Sequence, residues 1–202
     1  MADIPARHEG ARKGIHLVLS LVAAGVVAWL PAMHAATVLA GATFVALSVE
    51  LARRTSVAFG SAFQRLAPLL RDVEERGLTG ATTLSVGYTA AALLFPGLPA
   101  LIGILVAGVA DAAAAVVGKR FGRLRYPGGK SAEGSVTFAL IVAALLLLML
   151  PGATVSSVLL PVLGLTLLEA LTLPIADNLY LPVAAALSVR LVSAPVALTF
   201  FP

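Results

Sequence analysis

The stretch Leu98–Arg120, LPALIGILVAGVADAAAAVVGKR, runs for 21 residues to Gly118 with a single charge, Asp111, and then meets Lys119 and Arg120. A helix needs roughly 20 apolar residues to cross a bilayer. The stretch therefore reads as a membrane span that carries a carboxylate inside it and stops on cations. Working outward, apolar runs separated by Pro, Gly or charge give the spans Ile15–Leu30, Ala32–Val49, Thr79–Phe95, Leu98–Gly118, Ser135–Leu150, Val155–Leu173 and Leu179–Phe200.

Composition agrees with this pattern. Of 202 residues, 59% are hydrophobic and only 12% charged, with a mean hydropathy of +1.00. Soluble domains carry about 25% charged residues, so too little polar surface remains to coat a water-soluble globule. An all-α, polytopic helical membrane protein of about seven transmembrane helices, forming one membrane-embedded domain over 1–202, is expected. The net charge of +4 and pI of about 10.0 fit an excess of Lys and Arg in cytoplasmic loops. No basic stretch is interleaved with aromatics, so nucleic acid is not expected as a partner. Without cysteine there is no disulfide, thiolate metal site or thiol nucleophile.

The turns Pro31–His34, Pro96–Pro99 and Pro151–Ala153 lack formal charge, whereas ten Lys and Arg fill the alternate connections and three more precede the first span. Thus 13 of the 14 basic residues fall on one side, with Arg190 the exception. That asymmetry predicts a cytoplasmic N-terminus and, with an odd number of spans, a C-terminus on the opposite side. Arg7, Arg12 and Lys13 before an apolar run, with small residues near His34-Ala35-Ala36, resemble a signal peptide. Further spans come at once, and an uncleaved first helix is expected. Between Arg53 and Gly77, Val57, Phe59, Phe63, Leu66, Leu70 and Val73 recur at helical spacing among polar residues. This predicts a cytoplasmic interfacial helix, interrupted at Pro68.

Charges inside apolar spans cost about 2.5–3.5 kcal/mol each on insertion scales and mark function by default. Asp111 lies about 10 Å of helix before Gly118. Glu169, Asp177 with Asn178, and Glu50 fall in the same half of the membrane or at its edge. All can face one cavity open to the cytoplasm. Opposite them lies the basic, glycine-rich connection Gly118–Ser131. Cations beside flexible backbone N–H donors suit a polyphosphate, and intramembrane carboxylates suit Mg²⁺. Alternatively, the loop enforces topology and binds anionic lipid while the acids pair with Arg. Gly128-Gly129-Lys130-Ser131 ends like a P-loop, but Leu124 stands where the first glycine belongs, so this is not one. Of the three histidines only His16 is placed to reach the cavity.

Six blocks, in order, resemble the CTP-dependent lipid-alcohol kinases: dolichol kinase, phytol kinase and the CTP-dependent diacylglycerol kinases. They are Arg12-Lys13-Gly14-Ile15-His16; Glu50-x-x-Arg53-Arg54; Glu74-Glu75-x-x-Leu78-Thr79-Gly80-Ala81-Thr82; Asp111-x-x-Ala114-x-x-x-Gly118-Lys119-Arg120-Phe121-Gly122 with Gly129-Lys130-Ser131-x-Glu133-Gly134-Ser135; Glu169-Ala170-Leu171; and Asp177-Asn178-Leu179-x-x-Pro182. Phosphatidate cytidylyltransferase is a more distant resemblance, with a different ending, which makes cytidylyl transfer to give a CDP-lipid the runner-up to kinase activity. The resemblance implies transfer of a γ-phosphoryl group from a nucleoside triphosphate, typically CTP, to a membrane-embedded alcohol. Asp111 and Asp177 are then expected as Mg²⁺ ligands, and Lys130, Lys119 and Arg120 as phosphate-holding cations. Ser131, Gly128 and Gly129 would supply donors, Glu133 would order the loop, and Asn178 would border the nucleotide. Glu74, Glu75 or Glu169 would orient the acceptor hydroxyl, and Arg12, Lys13, His16, Glu50 and Arg53 would serve binding or positioning. A carrier or lipid-binding protein with a polar cavity remains the alternative of a different class.

Overall fold

The structure, a computed structural model, describes residues 6–63, 77–126, 128–171, 173 and 176–199. Among these residues the regular structure is helical, apart from one bridge between Arg125 and Ser131. The helices are α1 (Ala6–Trp29), α2 (Ala32–Thr55), α3 (Val57–Phe63), α4 (Gly80–Leu94), α5 (Leu98–Phe121), α6 (Ala132–Met149), α7 (Val155–Ala170) and α8 (Asp177–Thr199). A helix thus stands in each of the seven apolar intervals. Four helical stretches are long and apolar enough to cross a membrane: Gly10–Trp29, α2, α5 and α6. The apolar α7 has 16 residues. The chain is an all-helical, membrane-embedded protein.

Hydropathy misplaces several helix ends because polar residues start and finish these helices. Ser131 caps α6, accepting a hydrogen bond from the Gly134 N–H. Thr154 and Ser157 form a capping box at α7. Thr79 caps α4. At the other end of α2 the helix continues past Val49 through Glu50, Arg53 and Arg54. Of the expected interfacial helix, α3 is seen; the remainder through Arg76 lies outside the described residues.

α8 packs between α4 and α5, α2 covers α4, α1 crosses α5, and α6 joins the second half of α5 to α7. Small residues let the backbones close, which is how helices associate when the surrounding solvent is itself apolar. A β-carbon on Gly103 would stand 2.3 Å from the Pro182 carbonyl oxygen, and one on Gly87 would stand 2.4 Å from that of Asn178. Pro182 has no N–H to offer the Asn178 carbonyl four residues earlier, so Gly87 packs against α8 where its hydrogen-bond ladder is interrupted. Ala100, Ile102, Ile104, Phe138, Val142, Leu146, Ala185 and Val189 fill the core. Leu and Val on the outer faces of α1, α2, α6 and α7 are exposed, as lipid contact requires.

Candidate functional site

The polar residues gather at one end of the bundle. On α1, Arg12, His16 and Ser20 are buried at four-residue intervals, and the next buried positions, Ala23, Ala24 and Val27, are apolar. A polar stripe about 12 Å long thus runs inward from the start of α1. At its inner end the Ser20 hydroxyl donates to the His16 carbonyl at 2.6 Å and lies 2.5 Å from the Tyr88 hydroxyl of α4.

Alongside, the Lys13 ammonium donates to the Asp111 carboxylate, whose side chain is only 11% exposed. Asp111 reaches this place through an irregularity in α5. Residues Val106–Ala110 form one turn of π-helix, and the Asp111 N–H reaches back five residues to the Val106 carbonyl. Such turns insert an extra residue and re-aim the side chains beyond them. Gly108 sits in the turn, where a β-carbon would fall 2.1 Å from Ser20 Cβ. Glycine there lets α1 approach closely enough for Lys13 to meet Asp111.

The connection from α5 to α6 is a compact hairpin. The Tyr126 N–H donates to the Lys130 carbonyl at 2.8 Å, the Ala132 N–H to Leu124 at 2.9 Å and the Gly129 N–H to Tyr126 at 3.1 Å. Gly128 and Gly129 take φ of 96° and 85°, the left-handed region open to glycine. The Glu133 carboxylate accepts from the Arg123 N–H at 2.9 Å. This fold turns Lys130 inward. Its ammonium lies 3.0 Å from a carboxylate oxygen of Glu169 and 3.0 Å from one of Asp177, and it donates to the Glu169 carbonyl as well. Ser135 donates to the other Glu169 oxygen at 3.2 Å. Burial by itself would lower the Lys130 pKa, but the Asp177 and Glu169 carboxylates outweigh it and hold the value above that of an ordinary lysine. Lys130 and His16 are both within electrostatic reach of Asp111, so the two ion-paired groups form one charged cluster.

Glu50 belongs to a neighbouring clamp. One carboxylate oxygen accepts from Arg53 Nε at 2.5 Å; the other accepts from the Thr79 N–H at 2.7 Å and Thr82 Oγ1 at 3.1 Å. Arg53 and Arg54 both donate to the Gly77 carbonyl. Asn178 donates to Gly80 at 3.1 Å, which ties the clamped start of α4 to the start of α8.

The structure therefore brings together Lys13, His16, Asp111, Lys130, Glu169 and Asp177, with Arg12 buried on the same stripe. Glu50, Arg53 and Asn178 hold the helix ends around them. Lys119 and Arg120 are exposed, and Arg120, Phe121, Gly122, Arg123 and Glu133 line an open cleft of about 510 Å³. The loop donors need correction. Ser131 is buried and caps α6, wedged against Gly118 and Gly122, and the Gly129 N–H is used inside the hairpin. Neither is presented to a ligand. Glu74 and Glu75 lie outside the described residues.

Among the described residues no three His, Asp or Glu side chains converge to hold a metal. The chemistry of the carboxylates still suits a cation, since Glu169 and Asp177 already share an ammonium. The sequence reading does not single out Tyr88, Ser20 or Tyr180, whose spacing is that of ordinary buried residues, nor the π turn. Compared with known proteins, the chain has no significant match to a protein family, a curated protein or a solved structure.

Proposed function

We propose that this protein is a lipid-alcohol kinase that transfers the γ-phosphoryl group of a nucleoside triphosphate, CTP by preference, to a prenol or diacylglycerol held in the bilayer. In this reading the chain makes seven spans. Its N-terminus and the charged cluster face the cytoplasm, and its C-terminus lies on the opposite side. The observation that carries the reading is Lys130: a glycine-flanked ammonium folded inward onto two carboxylates, beside a buried third carboxylate. Phosphoryl transfer asks for positioning and charge neutralisation rather than covalent help, and cations next to carboxylates at the membrane edge supply both. A carrier would have use for the acids but not for the hairpin that aims Lys130.

The alcohol oxygen attacks the γ-phosphorus, the bond to the β,γ-bridging oxygen breaks, and the nucleoside diphosphate leaves. The proton of the alcohol passes to a cluster carboxylate, Glu169 being the buried one next to Lys130. Lys130, drawn off its carboxylates by the incoming phosphates, and Lys13 neutralise the transferring group. Asp111 and Asp177 would hold Mg²⁺, which binds through one or two carboxylates with phosphate oxygens completing its shell and supplies further charge neutralisation. Lys119 and Arg120 flank the entrance used by the nucleotide.

The test is incubation of the purified protein with γ-labelled and α-labelled nucleotides, Mg²⁺ and a panel of lipid alcohols and phosphatidate. Label should pass from the γ-position to an alcohol, require the divalent cation, and collapse in Asp111→Asn and Asp177→Asn. Transfer from the α-position to phosphatidate would instead make the protein a cytidylyltransferase. No transfer from any nucleotide would remove the enzymatic reading.

A further inference from the structure

Two hydroxyls in the bundle are out of keeping with the rest. Thr37, Ser48, Thr55 and Ser193 each donate to the carbonyl four residues earlier, and Ser188 to the one three residues earlier, the usual resolution for a hydroxyl in a helix. Thr166 Oγ1 does not; it is buried and has no partner among the described residues, and the same holds for the Tyr180 hydroxyl. Tyr88, a buried tyrosine of α4, is by contrast paired with Ser20. Buried polar atoms are nearly always hydrogen-bonded, so two orphans near one site call for a cause.

Their positions supply it. Thr166 precedes Glu169 by three residues at the end of α7, and Tyr180 lies three residues beyond Asp177 at the start of α8. Three residues along a helix keep a side chain on the same face, about 4.5 Å further on. Lys130 bridges Glu169 and Asp177, so both hydroxyls lie one turn deeper in the bilayer than the ion-paired carboxylates. Tyr180 is within electrostatic reach of Asp177, Lys130 and Glu169. Leu163 and Leu167, flanking Thr166, are 58% and 62% exposed, which places lipid one residue away.

We infer that Thr166 and Tyr180 form the seat of a neutral alcohol hydroxyl delivered from the bilayer. The inference rests on the proposed function and deepens it by naming residues for the acceptor. A hydroxyl both donates and accepts, as two unpaired side-chain hydroxyls require. A phosphate or carboxylate would add negative charge beside Glu169 and Asp177, and a hydrocarbon would leave both orphans as they are. A hydroxyl seated there stands one turn below Lys130, directly on the route to a phosphoryl group held by that ammonium.

The test uses the full chain in lipid nanodiscs without nucleotide. Retention of a tritiated long-chain prenyl alcohol is compared with that of the hydrocarbon of the same chain. The wild type should retain the alcohol about tenfold better, a factor within the range of one or two hydrogen bonds. The Thr166→Val/Tyr180→Phe double variant should retain both ligands alike, while Thr166→Ser keeps the preference. Melting temperatures within a few degrees of wild type show that the variants fold. No preference in the wild type, or an undiminished one in the folded double variant, overturns the inference; the second result, with a raised melting temperature, makes the orphans a structural defect. Selective alcohol binding in a wild type that transfers no phosphate defeats the kinase reading and leaves this one standing. Where transfer occurs, the double variant should raise KM for the alcohol about tenfold and leave KM for the nucleotide unchanged.

Discussion

Replacing Glu50 tests the clamp between α2 and α4. The residue is 3% exposed, and its two oxygens serve Arg53 on one side and Thr79 and Thr82 on the other. Removing Glu50 breaks a buried ion pair and takes the acceptor from Thr79 and Thr82, and breaking such a pair costs about 3–5 kcal/mol. Arg54, 3.8 Å away with a 45% exposed side chain, contributes almost nothing to this figure. Glu50→Ala should therefore destabilise by about 3–5 kcal/mol. Glu50→Gln keeps one acceptor for Thr79 and Thr82 and should lose about 1–3 kcal/mol. Denaturant or thermal unfolding in a mild detergent reads both. A double-mutant cycle with Arg53→Ala isolates the pair: the double variant should be little worse than Glu50→Ala, giving a coupling of about 2 kcal/mol or more. An alanine variant within about 0.5 kcal/mol of wild type, or a coupling near zero, would refute the clamp and return Glu50 to the residues that face a ligand.

Gly108→Ala should force α1 off α5, cost about 1–3 kcal/mol and reduce activity by loosening Lys13 from Asp111. Gly25→Ala, with nothing within 4 Å of the added carbon, is the control and should be neutral or mildly stabilising in unfolding assays. Lys130 has a raised folded pKa, so its ion pairs contribute full stability below the unfolded value of about 10.4 and lose it only as pH climbs through the folded value. The melting-temperature difference between wild type and Lys130→Met should therefore stay flat from neutral pH to about 10 and shrink above it; a decline beginning near pH 8 would contradict the pairing. Arg190 is exposed beside Leu187 and Leu191, and all ten acids lie at or before Asp177. In this otherwise cysteine-free chain, Arg190→Cys should react with an impermeant thiol reagent from the side opposite Lys13, and protection from that side would turn Arg190 into the bundle.

The sequence makes the helices visible where apolar runs meet Pro, Gly or charge. It makes Asp111, Glu169 and Asp177 visible because each is expensive in lipid, and Lys130 because it stands in a basic, glycine-rich connection. What the charges do to one another is less legible. Pairing with Arg is the structural alternative to a shared cavity; Glu50 does pair with Arg53, while Lys13 takes Asp111 and Lys130 takes Glu169 and Asp177. The choice depends on which helix ends approach, and that is set by glycine contacts such as Gly103 with Pro182 and Gly108 with Ser20, whose spacing along the chain carries no periodic signal. Ser131 reads equally well as a phosphate donor or a helix cap, and only the geometry of Gly134 decides for the cap. Thr166 and Tyr180 look like any other residues of an apolar helix until the missing partners are noticed.

The π turn in α5 gives that helix one residue more than an unbroken α-helix would need, and so two phases. The half before the turn is indexed to α8 through Gly103, and the turn with the half after it to α1 and α6 through Gly108 and Gly118. No substitution can transfer a residue from one index to the other. Were Val106–Ala110 to wind as ordinary α-helix with no residue lost, everything from Asp111 onward would rotate by about 100° relative to Ile102 and Ile104. The span would keep its hydropathy and its grip on α8 while losing the aim of its carboxylate at Lys13. The wide turn is therefore what sets the phase of the second half: a deletion inside it, which restores an unbroken α-helix, leaves the two halves in register, whereas a deletion on either side of it does not.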